Sequence, residues 1–280
     1  KKEEFMKILQ TNQLHYKNSK LRSNNTNNVH FRDLSFGIRL KHVNEINTLK
    51  QANKLVIIAH PDDETCFFGF IAKFLKNPKE SIQLVYTTSG QKGQDIRNII
   101  PRYDKKMQFQ REKELSEALD ELNVKQEPLV LDLMDGETHF KSNREKCKIL
   151  LEKIIDIVNP KEVYTFDYSG VTGHSDHIQA SRITEKIIKE KPVRKIDLWE
   201  VGFTQDATDK IIEQTKDTSQ IFLYSRPSID TTPDKEIDIT NEIPQIINSF
   251  KKYVSQFSAK ACTNLEQYLK NNPIITLMKK

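Results

Sequence analysis

The segment "KLVIIAH", residues 54–60, constrains this chain more than any other. It is an unbroken apolar run rich in β-branched residues. A strand with no polar alternation has no face to offer to water, so both its faces must be covered. "SIQLVYTTSG", "EPLVLDL" and "EVYTFD" also read as strands, and later strand candidates are "IDLWEVGF", "IFLYSRP" and "EIDIT". Helical stretches alternate with them. "TCFFGFIAKFLK" is apolar nearly all round and reads as one buried helix. "MQFQREKELSEALDELN" carries Leu115, Ala118, Leu119 and Leu122 at helical spacing. "NREKCKILLEKIIDIVNP" is amphipathic and stopped by Pro160, and "SDHIQASRITEKIIKE" follows a glycine turn. Two further helices are expected in "EIPQIINSFKKYVSQF" and "CTNLEQYLKN". This alternation predicts an α/β fold, Rossmann-like, with a mostly parallel sheet and helices on both faces.

The chain has 280 residues. Residues 1–50 form a polar, Asn- and Lys-rich arm, and 51–280 read as a single domain. Charged residues make up 30% of the chain and the net charge is +5, but no block of five or six like charges occurs. A nucleic-acid partner is therefore not expected, and the cations read as a solvated surface with mild attraction to anionic substrates or lipid headgroups. Cys66, Cys147 and Cys262 make an odd number without a CxxC pair, which speaks against a disulfide framework or a thiolate zinc site. No run approaches the 18 or so apolar residues of a membrane span. The chain starts at Lys1, which leaves room for an upstream leader or anchor. The expected location is cytoplasmic or membrane-peripheral, with export after leader removal as the alternative.

Two strands end in concentrated polar chemistry: "AHPDDE" at residues 59–64 and "GHSDH" at residues 173–177. In a parallel sheet both ends lie on one rim, where such folds place their ligands. A divalent metal needs about three N/O ligands and an open position for water. His60, one aspartate and one histidine of the second motif supply that set. Of Asp62 and Asp63, one can bind the metal while the other serves as general base. Of His174 and His177, one is a ligand and the other, held by a carboxylate such as Asp176, a protonated stabiliser of a developing oxyanion. The plainer reading makes "PDDE" a helix start and Ser175 or Asp176 a helix cap.

With "AHPDDE" followed about 110 residues later by "GHSDH", the chain resembles the LmbE/PIG-L family of metal-dependent de-N-acetylases. Supporting likenesses are "TTSGQKGQ", the R-x-x-E helix "REKELSEALDELNV" and "YVSQF", so the resemblance spans roughly residues 54–260. It implies an LmbE-like fold. It also implies a hydrolase that removes acetyl from an N-acetylglucosaminyl glycoside or glycolipid. The cofactor it implies is Zn2+, with another divalent metal as alternative. By the resemblance His60, Asp63 and His177 are zinc ligands and Asp62 the general base. His174 is the protonated partner of the tetrahedral intermediate, oriented by Asp176. Arg111 faces the sugar or its substituent, and Asp135 faces sugar hydroxyls.

"SGVTGH" is similar to the phosphatidylinositol-glycan branch of the family. Thr172 stands where some bacterial members acting on small thiol glycosides have tyrosine, yet "SGQKGQ" is closer to the bacterial loop. The arm has no counterpart in the family. The rival from another class is a catalytically inactive glycan- or lipid-binding protein on the same fold. A nucleotide-binding reading of "SGQKGQ" fails on the G-x-G-x-x-G spacing and on its place after the second strand. Cys66 reads as a small buried helix residue.

Overall fold

The computed structural model describes residues 37–101, 104–191, 195–215 and 233–280. The proposed strand "IFLYSRP" and residues 1–36 of the arm lie outside the described residues. The sheet strands are β1 (Lys41–His42), β2 (Lys54–Ile58), β3 (Ile82–Thr88), β4 (Leu129–Leu133), β5 (Glu162–Phe166), β6 (Asp197–Val201), β7 (Lys235–Asp238) and β8 (Ile274–Lys279). The helices are α1 (Asp63–Cys66), α2 (Phe70–Leu75), α3 (Lys106–Glu121), α4 (Lys141–Val158), α5 (Gly170–Gly173), α6 (Ser175–Lys189), α7 (Gln205–Thr215), α8 (Ile243–Phe250) and α9 (Ala259–Asn271). Their spatial order is β1-β4-β3-β2-β5-β6-β8-β7. All pairings are parallel except those of β8 with β6 and with β7.

The alternation within β2 shows why its run is wholly apolar. Leu55 and Ile57 pack with Leu129, Leu131, Val163 and the buried stripe of α4, which includes Leu150, Leu151, Ile154 and Ile155. Val56 and Ile58 point the other way, into a core with Tyr86, Tyr164, Phe166, Leu115 of α3 and Phe250 of α8. All four β2 side chains are fully buried; each contributes roughly 2–3 kcal/mol of transfer free energy.

Three local features differ from the sequence reading. The arm's last residues join the sheet: Lys41 and His42 pair with β4, and a 3-10 helix at Val43–Thr48 buries Val43 and Ile46. "TCFFGFIAKFLK" is broken into α1 and α2, because the N–H groups of Phe67 and Phe68 both turn to the Asp63 carbonyl. Gly69 at the break lies so close to Ile246 that a Cβ would come within 2.9 Å of its Cδ1. The C-terminal "IITLMK" is an antiparallel strand, β8, pinned between β6 and β7. Among the described residues, no helix is long and apolar enough to cross a membrane. All three cysteines are free and buried.

The order of strand addition reverses about β2, which has β3 on one side and β5 on the other. That switch point opens a crevice beyond the carboxyl ends of the strands. Both polar motifs start there.

Candidate active site

The turn after β2 presents His60 and Asp63 together. The Asp63 carboxylate accepts the backbone N–H groups of Ala59 (3.1 Å) and His60 (2.7 Å), which fixes it under the strand end. Burial would push its pKa up, but His177 and His60 outweigh this and hold it at about 2. His177 enters from the first turn of α6. Its ring stacks on Phe166 at 4.1 Å, and its Nδ1 lies 3.0 Å from the Gly170 carbonyl. That carbonyl only accepts, so Nδ1 carries the proton and Nε2 keeps its lone pair. Gly170 is required here: its φ is +68°, and a Cβ would sit 2.8 Å from that of His177.

His60 is fixed from the opposite side. Its Nε2 lies 3.2 Å from Asp176 Oδ2 and 3.3 Å from Asp135 Oδ1, both acceptors. Its Nδ1 therefore faces His177 Nε2 at 3.1 Å, and Asp63 Oδ1 stands 3.3 Å from His177 Nε2. Two bare lone pairs at that distance repel, so a proton or a cation must lie between the rings. Burial opposes charge on His60, but the bonds and charges of Asp135 and Asp176 hold its pKa well above the usual histidine value.

His60 Nδ1 and His177 Nε2 face each other at 3.1 Å, and each has one oxygen of Asp63 beside it: Oδ2 at 3.7 Å from His60 and Oδ1 at 3.3 Å from His177. Ligands about 2.0–2.1 Å from zinc in a tetrahedron stand roughly 3.3–3.4 Å apart. Each histidine also has its far nitrogen on an oxygen acceptor, as metal-ligating histidines almost always do. His60 with His174 and His177, and His60 with Asp135, His174 and Asp176, likewise bring donor atoms within 4.8 Å of one another. His60 is common to these arrangements; a separate group, His42 with Glu112 and Asp132, does not include it.

The remaining expected site residues are all near, but several hold partners other than those expected. Asp62 adopts φ 101° and makes no side-chain cap; its carboxylate bonds Arg111 Nη2 at 2.7 Å. Burial raises its pKa to about 6, with Arg111 opposing and Asp63 adding to the rise. Arg111, expected to face the sugar, is 2% exposed. It reaches the Pro61 carbonyl as well as Asp62 and lies over the Tyr253 ring at 5.5 Å. Gly90 of the "TTSGQKGQ" loop makes room for it: at φ +63° its Cβ would meet Arg111 Nε at 2.9 Å. Asp135, expected at sugar hydroxyls, binds His60 and accepts the Lys92 N–H at 3.0 Å.

Asp176 also departs from expectation. Its carboxylate does not orient His174. It takes His60, the Gly136 N–H at 2.7 Å, and both the N–H and hydroxyl of Thr138. His174 is instead the N-cap of α6, its Nδ1 accepting the Asp176 backbone N–H at 3.2 Å. Burial, with His60 and His177 beside it, pushes the His174 pKa down to about 4, a direction that runs against the protonated form expected for it. With Nδ1 engaged as an acceptor, its proton lies on Nε2.

Glu64, read only as a helix-start acid, is fully buried. It accepts the Asp62 N–H at 3.1 Å and the hydroxyls of Tyr86 and Tyr253. Thr138, Gly136 and Phe166 are further supports that the sequence reading passed over. Only "LMDGETH" hinted at the first two, through a glycine turn at a strand end.

Residues 55–188 match the PIG-L family, described as GlcNAc-PI de-N-acetylase. One similar protein is the probable N-acetylglucosaminyl-phosphatidylinositol de-N-acetylase of Schizosaccharomyces pombe. It is 31% identical over 145 residues, 49% of this chain and 52% of that one. Another is the 1D-myo-inositol 2-acetamido-2-deoxy-alpha-D-glucopyranoside deacetylase 1 of Frankia casuarinae, 28% identical over 153 residues, 48% of this chain and 50% of that one. The match thus spans about half the length of these relatives. The N,N'-diacetylchitobiose deacetylase of Pyrococcus horikoshii shares the fold, with a TM-score of 0.58 at 19% identity over 82% of this chain and 84% of that one.

Proposed function

Because residues 55–188 carry a PIG-L (LmbE-like) family domain, we propose that this chain is a metal-dependent N-deacetylase acting on an N-acetylglucosaminyl compound. The products are acetate and a free glucosamine amine. The observation that carries the reading is the convergence of His60 Nδ1, His177 Nε2 and Asp63, with both histidine tautomers set from behind. These three residues would hold the metal, zinc being the first choice for an N/N/O donor set. A zinc ion bound there supplies Lewis-acid polarisation and lowers the pKa of a coordinated water toward about 7.

The chain's own groups supply the proton chemistry. Of Asp62, Asp63, Asp135 and Asp176, only Asp62 has no imidazole within ion-pair distance among the described residues. It is the carboxylate left to take a proton from the attacking water and return it to the departing amine. Arg111 and the Glu64-bound N–H hold it in place. His174 presents an Nε2–H toward the acetamide oxygen; such a donor stabilises a developing oxyanion by typically about 3–4 kcal/mol. The relatives' names support a substrate in which N-acetylglucosamine is joined to inositol, as a glycolipid or a soluble glycoside. An inactive binding protein on this fold is not favoured, since every donor and proton acceptor is in place.

The test is acetate release from N-acetylglucosaminyl-phosphatidylinositol, the soluble inositol glycoside and N,N'-diacetylchitobiose, alongside elemental analysis. About one equivalent of metal is expected, with the inositol compounds turned over fastest. Asp62→Asn should keep the metal and lose about 10²–10⁴-fold in turnover. Metal-loaded protein that releases no acetate from any of the three overturns the reading.

A further inference from the structure

The rim that carries the site also carries large apolar side chains exposed to solvent. Ile99 is 69% exposed, Met134 42%, Phe140 51% and Tyr168 54%. Each lies on a segment that leaves the carboxyl end of β3, β4 or β5, the segments that also supply Lys92, Asp135, Thr138 and Gly170 to the site.

The charges between the tips are unbalanced. Lys105, Lys106, Lys141 and Arg144 are exposed, and none has a side-chain ion pair among the described residues. Most acids of the same segments are engaged: Asp95 holds Arg97, Glu137 holds Lys92, Asp135 holds His60, and Asp167 accepts the Val171 N–H, while Glu145 is exposed and lines a cavity where Arg144, Lys148, Arg182 and Lys186 outnumber it. Arg144 lies one turn beyond Phe140 on α4 and opens onto this cavity of about 170 Å³. Arg182 of α6 lines that cavity too and, among the described residues, has no carboxylate partner.

We propose that this rim docks on an anionic lipid surface. The aromatic and aliphatic tips enter the headgroup boundary, and the Arg144–Arg182 cavity takes a lipid phosphate. Apolar tips plus unpaired cations make the two-signal combination that holds a protein at a membrane interface without spanning it. A protein seated on the same tips would close the mouth, whereas a lipid surface delivers a headgroup to it. The proposal rests on the glycolipid reading of the substrate and deepens it.

Sedimentation with phosphatidylcholine vesicles, with and without phosphatidylserine, tests it without any turnover, so a failed deacetylase assay and a failed docking assay are told apart. The full chain should pellet with the anionic vesicles and not with the neutral ones. The double variants Phe140→Ser/Tyr168→Ser and Lys141→Glu/Arg144→Glu should each partition about tenfold less or worse. Both should keep wild-type metal content and turnover of the soluble glycoside, which shows that they fold. Partitioning that ignores phosphatidylserine, or survives both double variants, overturns the proposal. So does a lipid-free dimer that the Phe140→Ser/Tyr168→Ser pair dissolves, since the face would then belong to a second copy.

Discussion

His60 and His42 are both imidazoles set between carboxylates at strand ends, yet they face opposite tasks. His42, at the end of β1, lies 2.9 Å from Asp132 and 4.0 Å from Glu112, and its side chain is 35% exposed. Both its nitrogens look at acids, so it keeps both protons. Burial pulls its pKa down, but Asp132, Glu112 and Glu45 outweigh this and leave it at about 9. His60 has Asp176 and Asp135 on Nε2, but its Nδ1, with Asp63 at 3.7 Å, also meets the lone pair of a second histidine in a buried pocket. The first arrangement is complete as an ion triad that ties β1, β4 and α3 together. The second is complete only when something positive sits between the rings. A list of clustered His, Asp and Glu residues does not separate these cases, and both clusters bring three donors within 4.8 Å. The orientation of the second nitrogen does.

The sharpest way to break this contrast is to remove one histidine from each cluster. His177→Ala should abolish stoichiometric metal by elemental analysis and take turnover with it. His42→Ala should leave about one equivalent of metal bound and turnover near wild type. If His42→Ala lost the metal instead, the assignment of the two clusters would be reversed.

A smaller effect is expected one layer out. Asp176→Asn removes the charge behind His60 while keeping its shape, and should weaken metal affinity about 10–100-fold in chelator competition. Asp132→Asn, the equivalent change behind His42, should leave that affinity alone.

The smallest effect is a pH dependence. His42 gains a proton partner on folding, so its folded pKa is raised. Its stabilising contribution is full below about pH 6.5, and is lost as pH rises through about 9. Thermal melts of wild type and His42→Gln should therefore differ at pH 6 and converge near pH 10. Partial exposure screens the pair, so the gap should stay at or below about 1 kcal/mol. A constant gap across that range would mean that the triad is held by packing.

The sheet and the donor pairs were legible because they depend on local patterns. An apolar run followed by "HPDD" declares a buried strand with metal-type donors at its end, whatever packs around it. Partner choices were not legible. Asp176 turns to His60 because Gly136 and Thr138, from the loop after β4, hold its carboxylate in that direction. Arg111 turns to Asp62 because Gly90 leaves the space and Tyr253 offers a ring face. These contacts join segments far apart in the chain, and no spacing rule encodes them. The place of His174 as the N-cap of α6 was hidden for the same reason, since it depends on the fold of the turn before that helix. β8 escaped notice because its pairing runs against the parallel order, and its outer residues Ile274 and Lys279 are exposed.

Glu64 carries a consequence for how the protein is made. The three proposed metal donors have all left the ribosome once residue 177 is out, whereas Glu64 waits for the Tyr253 hydroxyl, contributed far later in the chain. A domain folds as a unit, and this one cannot close its Asp62 turn from the N-terminal half alone. The carboxylate that holds the Asp62 N–H is itself held by a hydroxyl from near the other end of the polypeptide, so any truncation that removes Tyr253 reaches the Asp62 turn.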